Sequence, residues 1–271
     1  MSSSPNTGMS TPLRRQYLDI KRRHPGMILL FQIGDFYETF DDDAETLSRE
    51  LGVVLTRKWF GKGNSHPLAG IPVRSLESHL ARLINRGYKV AVCDQVTPPG
   101  KGLVERGVVR IVTPGTVIEP GLLEGRSNNY LAALVAGDRL SGLAYADVTT
   151  GEFRVTELES AQAHAELERI APSELIAPRS LDLPPLEVRA VTRIDDARVE
   201  PGAARRALLE HFQVISLEAY GCQDMPLATR AAGAILAYLA DTQPDAMTNL
   251  TELQSYRAES FMRLDAHTAR N

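Results

Sequence analysis

The run Met27-Ile28-Leu29-Leu30-Phe31-Gln32-Ile33 lies between Pro25-Gly26 on one side and Gly34 on the other. A short apolar run between turn signals reads as a buried strand, and a buried strand needs a covered sheet around it. After Gly34 the chain should turn polar, yet it continues Asp35-Phe36-Tyr37-Glu38. In extended backbone, residues two apart leave the same face, so Phe36 and Glu38 point together. Two readings of the pair are open. Phe36 packs under the helix that starts near Asp41 while Glu38 is solvated. Alternatively, the ring is a wedge that slides between stacked bases while the carboxylate tests a base edge.

The pattern around this strand predicts an α/β domain. Thr11 is placed to cap a helix with Pro12 at its first position, and Leu13, Tyr17 and Ile20 line one face until Pro25 stops it. A helix is expected over 42–51, ended by Gly52, then a short strand over 53–56. Arg57 to His66 combines Arg57, Lys58, Trp59, Phe60 and Lys62 with two glycines and reads as a mobile basic loop. Ser75 opens a further helix whose stripe is Leu76, Leu80, Leu83 and Ile84, with Gly87 as its stop. Strands over 88–92 and 108–112 follow, and such mixing over about 115 residues indicates one domain.

Five units of organisation result: a tail over 1–10, a first domain over 11–114, a linker over 115–128, a second domain over 129–249 and the start of a third element over 250–271. The linker is suggested by Pro114, Gly115, Pro120, Gly121 and Gly125. The second domain is expected to hold strands over 130–136, 142–148, 152–156, 174–177 and 187–192. Its helices are expected from Ser160 to Pro172, over 202–212 and over 227–241. Asp265 reads as the N-cap of a helix.

The formal net charge of −4 conceals a division. Residues 1–113 carry 16 Lys and Arg against 11 Asp and Glu, whereas residues 114–271 carry 14 against 23. Any phosphate-facing surface therefore belongs to the first domain, and the acidic second half suits a connector or docking surface. Cys93 and Cys222 show no C-x-x-C spacing, which fits a reduced cytosolic setting. No apolar run is long enough to span a membrane as a helix.

Several motifs are shared with one family. Thr11-Pro12-Leu13 to Tyr17, His24-Pro25-Gly26, Gly34-Asp35-Phe36-Tyr37-Glu38, Pro67-Leu68-Ala69-Gly70-Ile71-Pro72 and Val109-Arg110-Ile111-Val112-Thr113-Pro114-Gly115-Thr116 occur in order. Together with Asp147-Val148-Thr149-Thr150-Gly151-Glu152-Phe153 and Leu264-Asp265-Ala266, they closely resemble the N-terminal part of the MutS family of DNA mismatch-repair proteins. The resemblance implies a mixed-sheet α/β mismatch-recognition domain followed by an RNase H-like α/β connector. It makes Phe36 the wedge and Glu38 the base contact, and it sets Arg57, Lys58, Lys62 and Leu68 near the DNA. It further implies mismatched double-stranded DNA as ligand, a MutL-type partner at the connector, a second subunit, and a cytoplasmic site of action. The family's ATPase would use ATP and Mg²⁺, but no G-x-x-x-x-G-K-[ST] phosphate-binding loop occurs in these 271 residues. No cofactor and no catalytic residue is therefore expected on this chain.

Two other functions compete. An RNase H-like unit becomes a nuclease when carboxylates converge on two metal ions. Asp147 and Glu152 flank the relevant strand, while Asp195, Asp196 and Glu200 fall in a loop before Pro201. A pure interaction module, with the acidic connector recruiting a partner, is the third possibility.

Overall fold

The computed structural model describes residues 11–60, 65–97, 104–118, 122 and 128–258. The chain divides into two compact units, Met1–Thr113 with Glu119–Glu124, and Pro114–Ile118 with Gly125–Asn271. Both are mixed α/β.

The first unit begins with α1 (Pro12–Arg23). Thr11 accepts the Arg14 N–H at 3.4 Å, Pro12 occupies the first helical position, and Lys21, Arg22 and Arg23 sit at the carboxyl end where the helix dipole favours cations. Then come β1 (Ile28–Ile33), β2 (Phe36–Phe40), α2 (Asp42–Leu51), β3 (Thr56–Trp59), β4 (Ser65–Pro72), α3 (Leu76–Asn85), β5 (Val90–Gln95) and β6 (Arg106–Val112). The sheet order is β3-β4-β2-β1-β5-β6, with β1 parallel to β5 and every other pairing antiparallel.

Strand β1 is central, which is why it is apolar on both faces. Leu29 and Phe31 meet Tyr17 and Ile20 of α1, together with Phe40, Phe60, Ala91 and Cys93. Alternation turns Ile28 and Leu30 to the other face, and both are buried as well. The Tyr17 ring stands edge-on to Phe31 and Phe40, with centroids 5.6 and 4.7 Å away. Asp43 of α2 ties these layers together: it accepts from the Leu29 N–H at 3.1 Å, the Tyr17 hydroxyl at 3.3 Å and Lys21 Nζ at 2.7 Å. A buried carboxylate is tolerable only with such partners.

Two expectations are corrected here. Residues 53–55 are not strand; pairing starts at Thr56, and Val54 is left exposed. Arg57 to His66 is no loose loop in its described part, because Arg57–Trp59 pairs with Ser65–Pro67 as an edge hairpin. Charged residues on an edge strand blunt its open hydrogen-bonding side, and that polarity imitates a loop. Lys62 lies outside the described residues.

The second unit contains β7 (Leu131–Ala136), β8 (Leu140–Asp147), β9 (Glu152–Glu159), α4 (Ala163–Ile170), β10 (Glu174–Pro178), β11 (Ala190–Ile194), α5 (Pro201–Phe212), α6 (Pro226–Thr242) and the two-residue β12 (Gln254–Ser255). The sheet runs β11-β10-β7-β8-β9-β12. Strands β7, β8 and β9 are antiparallel neighbours, and β10 and β11 continue in parallel from β7, the order of an RNase H-like sheet. Helix α6 is apolar nearly all round because it lies between β8 and α5. Its approach is close: a Cβ on Gly142 would stand 2.0 Å from the Leu227 carbonyl carbon.

Two stretches differ from the expected divisions. Pro114–Ile118 packs with the second unit rather than hanging as a linker, and Glu174 accepts the Gly115 N–H at 3.1 Å. That buried carboxylate also takes hydrogen bonds from the Thr192 and Tyr238 hydroxyls. At the other end, Leu250 and Leu253 are buried in the second core and β12 extends its sheet, so this body runs past residue 249. Asp265 lies outside the described residues.

Candidate nucleic-acid interface

Gly34 and Asp35 form the whole turn between β1 and β2, since Ile33 pairs directly with Phe36. Gly34 has φ of +59°, a left-handed angle that suits glycine in a two-residue hairpin. On the far side Pro72 of β4 is the partner of Phe36, and the Val73 N–H donates to the Asp35 carbonyl at 2.9 Å. The tip is therefore gripped from both sides.

Alternation along β2 then sorts the side chains. Tyr37 turns inward, is buried, and donates its hydroxyl to Asp94 Oδ1 at 2.7 Å. Burial and that carboxylate push the Tyr37 phenol well above its usual range, so the hydroxyl keeps its proton and the bond persists at any ordinary pH. Phe36 and Glu38 take the other face. Phe36 is 48% exposed, in contrast with Phe31 and Phe40 on the neighbouring positions, which are buried. Nearly half of Phe36 is exposed, so it is not packed under the helix near Asp41; Phe40 is the buried ring, edge-on to Tyr17 of α1.

Glu38 is not simply solvated. Its Oε2 lies 2.6 Å from Lys58 Nζ, and the two side chains are 20% and 31% exposed. The pairing follows from register. Glu38 is opposite Gly70 in β4 and Lys58 is opposite His66 in the same strand, which sets both on one face. A Cβ on Gly70 would come 3.6 Å from Glu38 Cγ. The Lys58 ammonium also stands 5.8 Å from the Phe40 ring centroid, within cation–π range.

The other candidates are distributed differently. Arg57 is fastened along its own hairpin, with Nε donating to Ser65 Oγ and Nη2 to the Ser65 carbonyl, both at 2.7 Å. Leu68 is half-buried against the α1 side of the core, opposite Phe40 and Thr56. Of the two aromatic neighbours, Phe60 is buried at 5.2 Å from Phe40, whereas Trp59 is 67% exposed. Arg106 lies 5.0 Å over the Phe31 ring and donates to the Gln32 carbonyl, and Arg110 pairs with Glu77 at 2.8 Å. The structure thus brings Phe36, Glu38 and Lys58 onto one face of one sheet.

Residues 11–120 match the family model for MutS domain I, and residues 129–254 match that for MutS domain II. The chain belongs to the MutS family. It is 49% identical over 265 residues to the DNA mismatch repair protein MutS of Dehalococcoides mccartyi, covering 96% of this chain and 31% of that protein. It is also 42% identical over 276 residues to the MutS of Symbiobacterium thermophilum, covering 97% and 32%, and 41% identical over 272 residues to that of Desulfatibacillum aliphaticivorans, covering 96% and 31%. The chain spans about a third of the length of the curated relatives it matches.

Within domain I, one cluster escaped the sequence pattern. Arg14 is buried, forms an ion pair with Asp41, and is ringed by Tyr17, Phe40 and Phe60, each 5.6 to 5.7 Å from its guanidinium carbon. His66 Nδ1 lies 2.8 Å from the other Asp41 oxygen. Asp41 has φ of +56°, as the chain turns sharply from β2 into α2, and its side chain serves Arg14 rather than the helix end. Arg14 lies three residues before Tyr17 and so shares its buried face, but two of its aromatic partners, Phe40 and Phe60, come from distant parts of the chain.

In domain II, Asp147, Glu152, Asp195 and Asp196 accept hydrogen bonds from protein donors. Asp147 accepts from the Asn129 N–H at 3.1 Å, the Thr149 N–H at 2.9 Å and the Thr149 hydroxyl at 2.6 Å. Glu152 accepts from the Tyr130 hydroxyl at 2.8 Å and pairs with Arg154 at 2.7 Å. Asp195 caps the following turn through the Ala197 N–H. Among the described residues no group of three His, Cys, Asp or Glu is arranged to hold a metal ion, and no helix is long and apolar enough to cross a membrane.

Proposed function

We propose that domain I reads mispaired or unpaired bases in double-stranded DNA and so initiates mismatch repair, with Phe36 as wedge and Glu38 as base contact. One observation carries this: a half-exposed phenylalanine stands at a two-residue hairpin tip, sharing its face with a partly covered carboxylate. An aromatic ring left half exposed adds less to stability than a buried one and is suited to stacking.

Selectivity follows from what the pair meets. A mismatched step stacks and pairs poorly, so opening it costs less than the few kcal/mol of a regular step. The ring converts that difference into preference by sensing deformability rather than sequence. The Glu38 carboxylate then accepts a proton-bearing base edge that a disrupted pair exposes. On a regular duplex it finds no donor and faces only phosphates, which penalises correct DNA.

The rest of the family activity is assigned to the part of the relatives' length that this chain does not cover. ATP with Mg²⁺, the second subunit and the coupling between them are placed there, since this chain carries no phosphate-binding loop. Domain II, the acidic half, is the surface proposed for a MutL-type partner, and the site of action is the cytoplasm. Alone, this chain should bind DNA only near the non-specific range of ~10⁻⁴–10⁻⁶ M. The decisive experiment is competition between matched and mismatched duplexes at one salt concentration, using a protein of the relatives' full length that carries this sequence. Phe36→Ala is expected to abolish the preference; an unchanged ratio overturns the proposal.

A further inference from the structure

We infer that Lys58 is a positioning residue for Glu38, setting how well the carboxylate tells a mismatched pair from a matched one, rather than a phosphate contact. The inference rests on the mismatch-reading role proposed for Phe36 and Glu38.

The geometry gives Lys58 a place on the reading face. Its ammonium lies 2.6 Å from Glu38 Oε2, and both groups are more covered than exposed. It also lies within reach of the Phe40 ring, so the charge has two partners on the protein before any DNA arrives. The edge strand β3 fixes its register through four paired residues from Thr56 to Trp59. A lysine held in this way is poorly placed to leave for a phosphate, since departure uncovers a carboxylate facing other phosphates.

The ion pair has a specific effect on Glu38. Lys58 takes Oε2, and among the described residues no partner is recorded for Oε1, the oxygen left to meet a base. Without the lysine, the flexible glutamate has to be ordered when the base contact forms, and ordering such a side chain costs up to ~2 kcal/mol. That loss falls on the mismatched complex, where the contact is made. Whatever part of the Lys58 effect on the ratio disappears in a Glu38→Ala background therefore runs through Glu38.

The test is a double-mutant cycle read as the ratio of matched to mismatched dissociation constants, in a protein of the relatives' full length. Lys58→Met keeps the apolar stem over Phe40 and removes the charge. It is expected to lower the preference about threefold to tenfold. In a Glu38→Ala background the same substitution is expected to move the ratio by less than about twofold. Lys58→Arg, which keeps a cation beside Oε2, should retain most of the preference. The inference is overturned if Lys58→Met weakens both duplexes equally whatever stands at position 38, with the salt slope reduced by about one, the signature of a lost phosphate contact. Phe36→Ala run alongside separates the two levels. If Phe36→Ala abolishes the preference while Lys58 acts independently of Glu38, only the role of Lys58 fails. A parent protein with no preference at all removes the underlying mismatch reading, and the role of Lys58 with it.

Discussion

Replacing Phe36 tests the size as well as the existence of the wedge. A phenylalanine offers roughly 150–250 Å² of surface. With the residue 48% exposed, about 100 Å² remains to be covered between bases. At ~25 cal/mol per Å² that is about 2.5 kcal/mol, or close to two powers of ten in affinity. The value falls inside the ~1–3 kcal/mol measured for stacking one base on an aromatic side chain. Phe36→Ala should therefore weaken mismatched binding about 30- to 100-fold and matched binding by under about threefold, because a regular step is not entered. Phe36→Leu, still an apolar wedge but without a flat face, should lie between. Folding is not expected to suffer greatly: a buried Phe→Ala change costs ~3–5 kcal/mol, and this ring, half outside, should cost about half of that. Competition with a labelled mismatched duplex gives the affinities, and urea unfolding of the same preparations gives the stability. Equal losses on the two duplexes, or a stability loss typical of a core phenylalanine, would refute the reasoning.

Three further outcomes follow from the packing and the titrating groups. Gly142→Ala should destabilise the second unit by about 1–3 kcal/mol or more in a urea melt, since the new methyl meets the Leu227 backbone rather than a side chain that yields. Cys93 is buried, and desolvation with Asp94 beside it pushes its thiol up to about 12, so it should resist alkylation at pH 8 until the fold opens; Cys222, also buried and raised, should behave alike. His24, lowered from 6.5 by burial and by the Arg23 charge, binds its proton less readily folded than unfolded. Its contribution is thus fully present above pH 6.5 and lost as pH falls through the lowered value, and His24→Asn should flatten that part of a stability–pH curve.

Much of this architecture could be read directly from residue patterns. α1 was legible because Thr11, Pro12 and the Leu13-Tyr17-Ile20 stripe state its start and its buried face. β1 was legible because a central strand is apolar on both sides. The edge hairpin was not: Thr56 to Trp59 reads as a polar segment, and its strand character comes from pairing with β4, a long-range fact. The same limit applies to the candidate site. Spacing put Phe36 and Glu38 on one face, but only register across β2, β4 and β3 brings Lys58 to Glu38, residues twenty apart in sequence. Arg14 was hidden for a similar reason, as two of its aromatic partners, Phe40 and Phe60, lie far along the chain.

The turn at Gly34 and Asp35 has a consequence for who does the moving. A connection of two residues, held at Asp35 by Val73 and followed at once by the anchored Tyr37, has no slack with which to search. Such an element behaves as a fixed gauge. Under the proposed reading role, the duplex has to supply the motion, and a mispaired step declares itself by how readily it yields to something that does not.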